Sequence, residues 1–388
     1  MHRLRQPESL LVGLTLLVKL GVLGLGAIAH LVIVRGDISG PLDVLRPWND
    51  WDAPHYLDLI VFGYRAVDPG NLVGPGGYRS VFPGDLPLYI VFYPLYPWLA
   101  TAVNAVVNQP LVSAFVVSSV ASLFVAPLLY RLVRHEEGPG IALRAAWLCL
   151  IFPTAFFLHI GYTEALFLAL VLGSFLAART DRWWLAGLLG ALAALTRVNG
   201  LVLLLALPAE AATQWFEQPA GERRFRLRWL AVGLVLIGPA AYLGLNQAVY
   251  GDAFHFLAVQ ESHWFKSLEP PWVAIATAFR WFGSRNVDTM VMYGGMELAF
   301  TALGLAATVY AALRFRPSWF AWMAGNWLMF TSTGFLVSVP RYSLTLFPLF
   351  VAMALVSRRA GVLVAISTVS LGLFVYFALR FSSGAWAF

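Results

Sequence analysis

Long apolar runs separated by short polar connections make up most of this chain, and arginine dominates the connections. The first run, Leu10 to Val34, follows His2, Arg3 and Arg5. It is long enough to cross a bilayer and no small-x-small cleavage site ends it, so it predicts a retained spanning helix. Its basic flank puts the N-terminus in the cytoplasm. Residues 35–110 form a mixed segment with Asp37, Asp43, Asp50, Asp52, Asp58, Asp68 and Asp85, rich in Gly, Pro and aromatics. This acidic segment predicts a large outer loop. Its second part, Leu86 to Val107, is apolar but broken by Pro87, Pro94 and Pro97. A kinked helix at the outer interface is expected there, because counting it as a span would put the later arginines outside.

The remaining runs follow the positive-inside rule. Leu111 to Tyr130 ends at Arg131, Arg134 and Arg144. Paired helices then turn outside near His159 to Glu164 and near Arg197 to Gly200, and return to Arg179 and Arg182 and to Arg223 through Arg228. Trp229 to Val249 leads out to a second large outer loop, residues 250–288. Met290 to Leu313, Phe320 to Val339, Tyr342 to Leu355 and a last helix ending near Arg380 complete the pattern. The expected fold is an all-α polytopic membrane protein with about eleven transmembrane helices. Residues 1–388 read as a single integral-membrane domain with two large outer loops. No internal repeat supports an inverted-repeat transporter.

Composition sharpens this picture. Of 388 residues, 60% are hydrophobic and 12% charged, which excludes an ordinary soluble enzyme. The net charge of +6 belongs to loop arginines rather than to nucleic-acid binding, and only Lys19 and Lys266 are lysines. The single cysteine, Cys149, rules out an intrachain disulfide or a multi-cysteine metal site.

The polar residues hardest to explain as solvated loop all fall on the predicted outer side. They are Asp50, Asp52 and His55; His159, Tyr162 and Glu164; Arg197 and Asn199; Glu261 and His263; and Arg341. Ionisable groups at membrane depth are costly and usually mark a site. Each set also has a plain structural role. Asp50 and Asp52 stand before a helix whose first turn contains Pro54, where aspartate caps. Glu164 opens a helix, where a carboxylate complements the dipole. His159 and Tyr162 fit interface aromatics, Arg197 a snorkelling turn residue and Arg341 a membrane anchor. Asp50-Trp51-Asp52 spells D-x-D, too few oxygens for a hard cation, so no metal is expected. Glu261-Ser262-His263 lacks a nucleophile elbow. Gly21, Gly24 and Gly26 predict close helix packing.

Together the motifs resemble a known family. Trp51-Asp52-Ala53-Pro54-His55-Tyr56, Gly63-Tyr64 and Phe92-Tyr93-Pro94-Leu95-Tyr96-Pro97 are similar to the W-D-A-x-H-F, G-Y and F-F-P-x-x-P series of the PIG-V mannosyltransferases. Phe152 to Phe157 with Gly161 to Phe167, Thr196-Arg197-Val198-Asn199-Gly200, and Pro340-Arg341-Tyr342 with Phe347 to Phe350 resemble the later blocks in order. The resemblance implies a GT-C glycosyltransferase that takes sugar from a polyprenyl-phosphate donor, with Asp52 at the catalytic position. In eukaryotes this family adds the second mannose to glycosylphosphatidylinositol, and bacteria carry relatives. The long insertion from Asp68 to Asp85 departs from the pattern.

The expected reaction moves mannose or a related sugar to a lipid-linked or glycan acceptor, with inversion and without a cofactor. Asp52 deprotonates the acceptor, and Arg197 or Arg341 stabilises the leaving phosphate. Asp50, His55, Tyr162, Glu164, Asn199, His263 and Tyr342 complete the expected substrate-binding set. The partners are the donor, the acceptor and membrane lipids, but not nucleic acid. The setting is a bacterial plasma membrane with the site outside, or an endoplasmic-reticulum membrane with the site luminal. A transporter or lipid flippase is the rival reading, and a scaffold the third. Charges spread through the bilayer thickness would favour transport.

Overall fold

The computed structural model describes residues 7–388 apart from 41, 68, 69, 71 and 72. His2, Arg3, Arg5 and Asp68, which entered the topology above, lie outside the described residues. Helix α1 (Pro7–Ile28) continues into a π-helical turn, Ala29–Val34. The first mixed segment contributes α2 (Ala53–Phe62) and α3 (Leu95–Val107). Then follow α4 (Pro110–Leu150), α5 (Glu164–Arg179), α6 (Trp183–Thr196), α7 (Leu203–Phe216) and α8 (Ile237–Tyr250). The second mixed segment forms α9 (His255–Ser262) and α10 (Pro271–Phe282). The chain ends with α11 (Glu297–Arg314), α12 (Pro317–Thr331), a five-residue turn α13 (Val339–Ser343), α14 (Phe347–Val356) and α15 (Ala360–Ser382). Among the described residues the extended pairings are isolated bridges, as at Leu268 and Thr333.

Five stretches among the described residues are long and apolar enough to cross a membrane: Pro7–Val34, Pro110–Leu150, Leu227–Tyr250, Thr289–Arg314 and Ala360–Ser382. Helices α3, α6 and α14 are apolar but shorter. The long stretches keep apolar outward faces, as at Leu17, Val120, Phe124 and Val364, each at least half exposed. In water that surface would drive aggregation, and lipid is the solvent that suits it.

Within α4 the chain reverses. Gly138 has φ 82° and ψ 171°, a backbone that a side chain at this position would strain, and Pro139 follows it. The segment before Gly138 carries Ser118, whose hydroxyl donates to the Tyr162 carbonyl at 2.7 Å. The segment after it leads back to the same level, where Thr154 Oγ1 donates to the Pro340 carbonyl at 2.9 Å.

Charge sorts the two ends of the bundle. At one end Arg131 meets Glu8 at 3.3 Å, and Arg144 donates to the Ser357 carbonyl at 2.6 Å. Arg179 and Arg316 converge there on Glu210 at 3.0 and 3.1 Å, and Arg179 also pairs with Glu136. Asp181 joins Arg228 at 2.6 Å. These pairings bring together the arginine connections that the sequence assigns to a common side. We call this the arginine end.

The two mixed segments meet at the other end. Leu86–Val91 is a 3-10 turn, the chain breaks at Phe92 to Pro94, and α3 then packs its first turn on the early part of α4. Tyr96 donates to the Ala114 carbonyl at 3.0 Å, and the Tyr242 hydroxyl donates to the Ile90 carbonyl at 2.8 Å. Trp264, from the second segment, stands edge-on to Phe92 and His55 at 5.7 and 5.9 Å. Gly26 in α1 lets the Trp48 indole lie directly against the helix, and a side chain there would collide with it. Gly21 and Gly24 have open space instead.

Candidate active site

The site grows from the turn before α2. Trp51 lies in the left-handed region at φ 60°, a conformation that costs a non-glycine residue on the order of 1–2 kcal/mol. Tyr162 secures it from both sides: its hydroxyl donates to the Asp50 carbonyl at 2.7 Å and accepts from the Asp52 N–H at 3.1 Å. The Trp51 ring packs edge-on against Trp386 at 4.8 Å. Asp50 and Asp52 are therefore not alternate positions of an extended strand.

Asp52 occupies the N-cap position of α2 but makes no capping hydrogen bond. Its carboxylate instead accepts from Arg341 Nη1 at 2.7 Å. Arg341 Nε donates to Glu164 Oε1 at 2.5 Å, and Arg197 Nη1 pairs with that same oxygen and donates to Thr163 Oγ1 at 2.9 Å. Two carboxylates and two guanidiniums from four distant parts of the chain form one continuous cluster. Arg341 is buried and so is not a membrane anchor, while Glu164 is buried in the first turn of α5 and binds both arginines from there. The Asp52 side chain keeps 29% of its surface exposed and is the open end of the cluster. Tyr162 is buried with its ring 4.7 Å from the Arg341 guanidinium, and His159 is fully buried, so neither is an interface aromatic.

Burial would raise the Asp52 carboxyl, but Arg341 beside it holds it below the usual range. Burial pushes Asp50, which has no such cation, up to about 6. His55 is lowered, mainly by burial. Its ring lies in an aromatic box, 4.5 Å from Tyr89 and 5.4 Å from Phe92, and it does not bond to Asp52. His55 Nδ1 and Glu164 Oε2 are buried polar atoms with no hydrogen-bond partner.

Two further residues of the expected set reach the cluster through neighbours. Tyr342 lies close to two cations, with Arg197 5.3 Å and Lys266 5.8 Å from its ring. His263 is exposed and edge-on to Trp264 at 5.5 Å. Asn199 is not presented to the open side: it is buried, and its amide donates to Asn326 at 2.9 Å, tying the turn after α6 to α12. Glu261 is exposed, and Ser262 bonds back to its own helix at Ala258. Among the described residues no three His, Cys, Asp or Glu side chains gather as metal ligands.

Sequence reasoning missed Lys266 and Glu297. Lys266 brings an additional cation to a cluster whose own charges cancel. Glu297 is buried in α11, and its carboxylate accepts from the Ser338 and Val339 N–H groups at 2.7 and 2.9 Å. Ser338 is left-handed, φ 61°, so Glu297 fixes the strained turn that aims Arg341. An acidic residue inside an apolar run was the available signal.

The architecture defines a class. ArnT from Cupriavidus metallidurans, in a structure bound to undecaprenyl phosphate, aligns over 97% of this chain and 76% of its own with a TM-score of 0.53 at 14% identity. Its apo structure aligns equally well, with a TM-score of 0.53. The chain is thus a multi-pass membrane protein with the GT-C glycosyltransferase fold.

The family follows from the sequence itself. Residues 46–276 match the family described as Mannosyltransferase (PIG-V), and the chain belongs to it. GPI alpha-1,6-mannosyltransferase 2 of Mus musculus is 32% identical over 166 residues, which is 40% of this chain and 29% of the mouse protein. The Rattus norvegicus counterpart is 32% identical over 183 residues, 42% of this chain and 32% of its own length. The matches thus span about a third or less of these relatives.

Proposed function

We propose that this protein transfers mannose, or a related sugar, from a polyprenyl-phosphate donor to a lipid-linked or glycan acceptor on the side of the membrane opposite the arginine end. The observation that carries the reading is the Asp52–Arg341–Glu164–Arg197 cluster, buried at Glu164 and Arg341 and most open at Asp52. Asp52 is the base. The acceptor oxygen attacks the anomeric carbon, its proton passes to Asp52, and the bond to the donor phosphate breaks with its electron pair leaving on that phosphate. A single displacement inverts the anomeric centre.

Arg341 lies where it holds Asp52 ionised and can bond to developing phosphate charge. The four clustered charges sum to zero, so Lys266 supplies the excess positive charge that a departing phosphate needs. Glu164 Oε2 and His55 Nδ1, unpartnered and buried, suit donor-sugar hydroxyls. Asp50 and Tyr342 line the approach, His263 stands at its rim, and Asn199 positions Arg197. Residues 35–110 and 250–288 are the outer segments that cover the site, within one domain. The transport reading requires charges at several depths, whereas Glu164, Arg197 and Arg341 bond at one level.

The test is incubation of purified protein with radiolabelled polyprenyl-phosphate-mannose and membrane lipids, followed by identification of the labelled product. Asp52→Asn should lower transfer by roughly a hundredfold to ten-thousandfold while the protein still folds. Lys266→Gln and Arg197→Gln should chiefly weaken use of the donor. Parental transfer by Asp52→Asn would remove it as the base. Movement of intact donor across vesicles, without any sugar transfer, would replace the enzyme by a flippase.

A further inference from the structure

We infer that the groove between α3, α4, α5 and α6 is a binding site for an anionic phospholipid, with its phosphate at the arginine end and its acyl chains along the groove. The groove has a volume of about 1110 Å³. Along α4 it runs from Val116 to His135, about 28 Å at the rise of an α-helix and close to the thickness of a bilayer core. Its walls are aliphatic and aromatic, among them Val106, Val120, Phe124, Leu128 and Leu170. Val120 and Phe124 are more than half exposed, so the bundle leaves this surface for something else to cover.

Charge identifies the occupant. The ionisable groups that line the groove are Arg131, Arg134, His135 and Arg182, all of them basic and all at the arginine end. Arg131 is paired with Glu8. Among the described residues Arg134 and Arg182 have no carboxylate within salt-bridge distance; the Arg134 guanidinium lies over Tyr130, 5.6 Å from the ring centre. Two guanidiniums at the foot of an apolar groove match a headgroup that carries net negative charge. A zwitterionic headgroup would bring its own cation against them. The opposite end is lined by Leu99, Val116 and Leu166 and presents no charge to a phosphate there. This separates the groove from the donor's phosphate, which the proposed reaction needs beside Asp52.

Native mass spectrometry of the full-length protein tests this, with phosphatidylglycerol, phosphatidylcholine of the same chains, and undecaprenyl phosphate as probes. Phosphatidylglycerol should be retained on the order of tenfold better than phosphatidylcholine. Arg134→Gln/Arg182→Gln, which leaves the Glu8–Arg131 pair intact, should bring the two close to parity, while Arg358→Gln/Arg359→Gln at the same end should not. Val120→Trp fills the groove with every arginine in place, and should reduce retention of phosphatidylglycerol without lowering the melting temperature. Equal retention of both phospholipids by the parent protein, or an undiminished preference in Arg134→Gln/Arg182→Gln, would overturn the site. So would undecaprenyl phosphate competing phosphatidylglycerol out of the parent but not out of Val120→Trp.

Discussion

Asp50 and Asp52 are chemically identical residues two positions apart, and their surroundings assign them different work. Arg341 keeps the Asp52 carboxyl below the usual range, so Asp52 stays ionised throughout neutral pH. Asp50, without a cation, is pushed by burial to about 6. A carboxylate that must be ionised to accept a sugar hydroxyl therefore becomes available as pH rises through about 6. The rate of transfer is expected to climb across that window, and Asp50→Asn should flatten this limb while costing less at pH 8 than Asp52→Asn. A pH–rate profile of both variants checks it; an unchanged acid limb in Asp50→Asn would assign the limb elsewhere. The same two groups oppose each other in stability. The raised Asp50 favours the folded state as pH falls toward its unfolded value, and the lowered Asp52 contributes stability that is lost as pH falls through its own folded value. The motif letters picked out Asp52, His55, Arg197 and Arg341 from sequence. The left-handed Trp51 was not legible, because nothing in its residue type favours φ of 60°.

At the scale of elements, the helices are held at their ends by ions as well as along their lengths by packing. Glu210 in α7 is fully buried and accepts from Arg179 of α5, from Arg316 before α12, and from Ser318 at 2.7 Å. Removing one partner of a buried pair strands the other charge, which typically costs about 3–5 kcal/mol. Because Arg179 keeps Glu136 and Arg316 keeps Glu217 as partners, Glu210→Ala should lower thermal stability in detergent by less than that, while leaving donor affinity of the folded protein near parental. Parental melting would mean the three groups are hydrated individually. The sequence marked Arg179 and Arg316 only as loop charges under the positive-inside rule. Their convergence on one carboxylate depends on three helices meeting, which no local pattern encodes. Lys19 is a similar case: it donates to Ser119 Oγ at 2.9 Å and to the His159 carbonyl at 3.2 Å, stitching α1 to the turn before α5.

For the whole molecule, the charge asymmetry predicts an orientation. In a Cys149→Ser background, Val67→Cys in the first mixed segment should react with a membrane-impermeant maleimide on intact cells. Gly221→Cys, between α7 and α8, should react only after permeabilisation. The reverse pattern would invert the topology and with it the side on which sugar is transferred.

What the chain determined by itself was its solvent and its outline. Apolar runs of bilayer length, sparse charge and clustered arginines specify a multi-pass bundle, because each of these follows from the cost of placing backbone or charge in hydrocarbon. The motif blocks further named a family and most of the candidate residues. What only the tertiary structure decided was which charges touch. Asp52, Glu164, Arg197 and Arg341 are separated by up to 289 positions, and it is packing that makes one neutral cluster of them. Packing also turned Asn199 inward to Asn326, brought Lys266 beside Tyr342, and set Glu297 beneath the turn that carries Arg341. The reason is physical: hydropathy is a property of segments and survives in one dimension, whereas an ion pair exists only where two distant segments are held within a few ångströms.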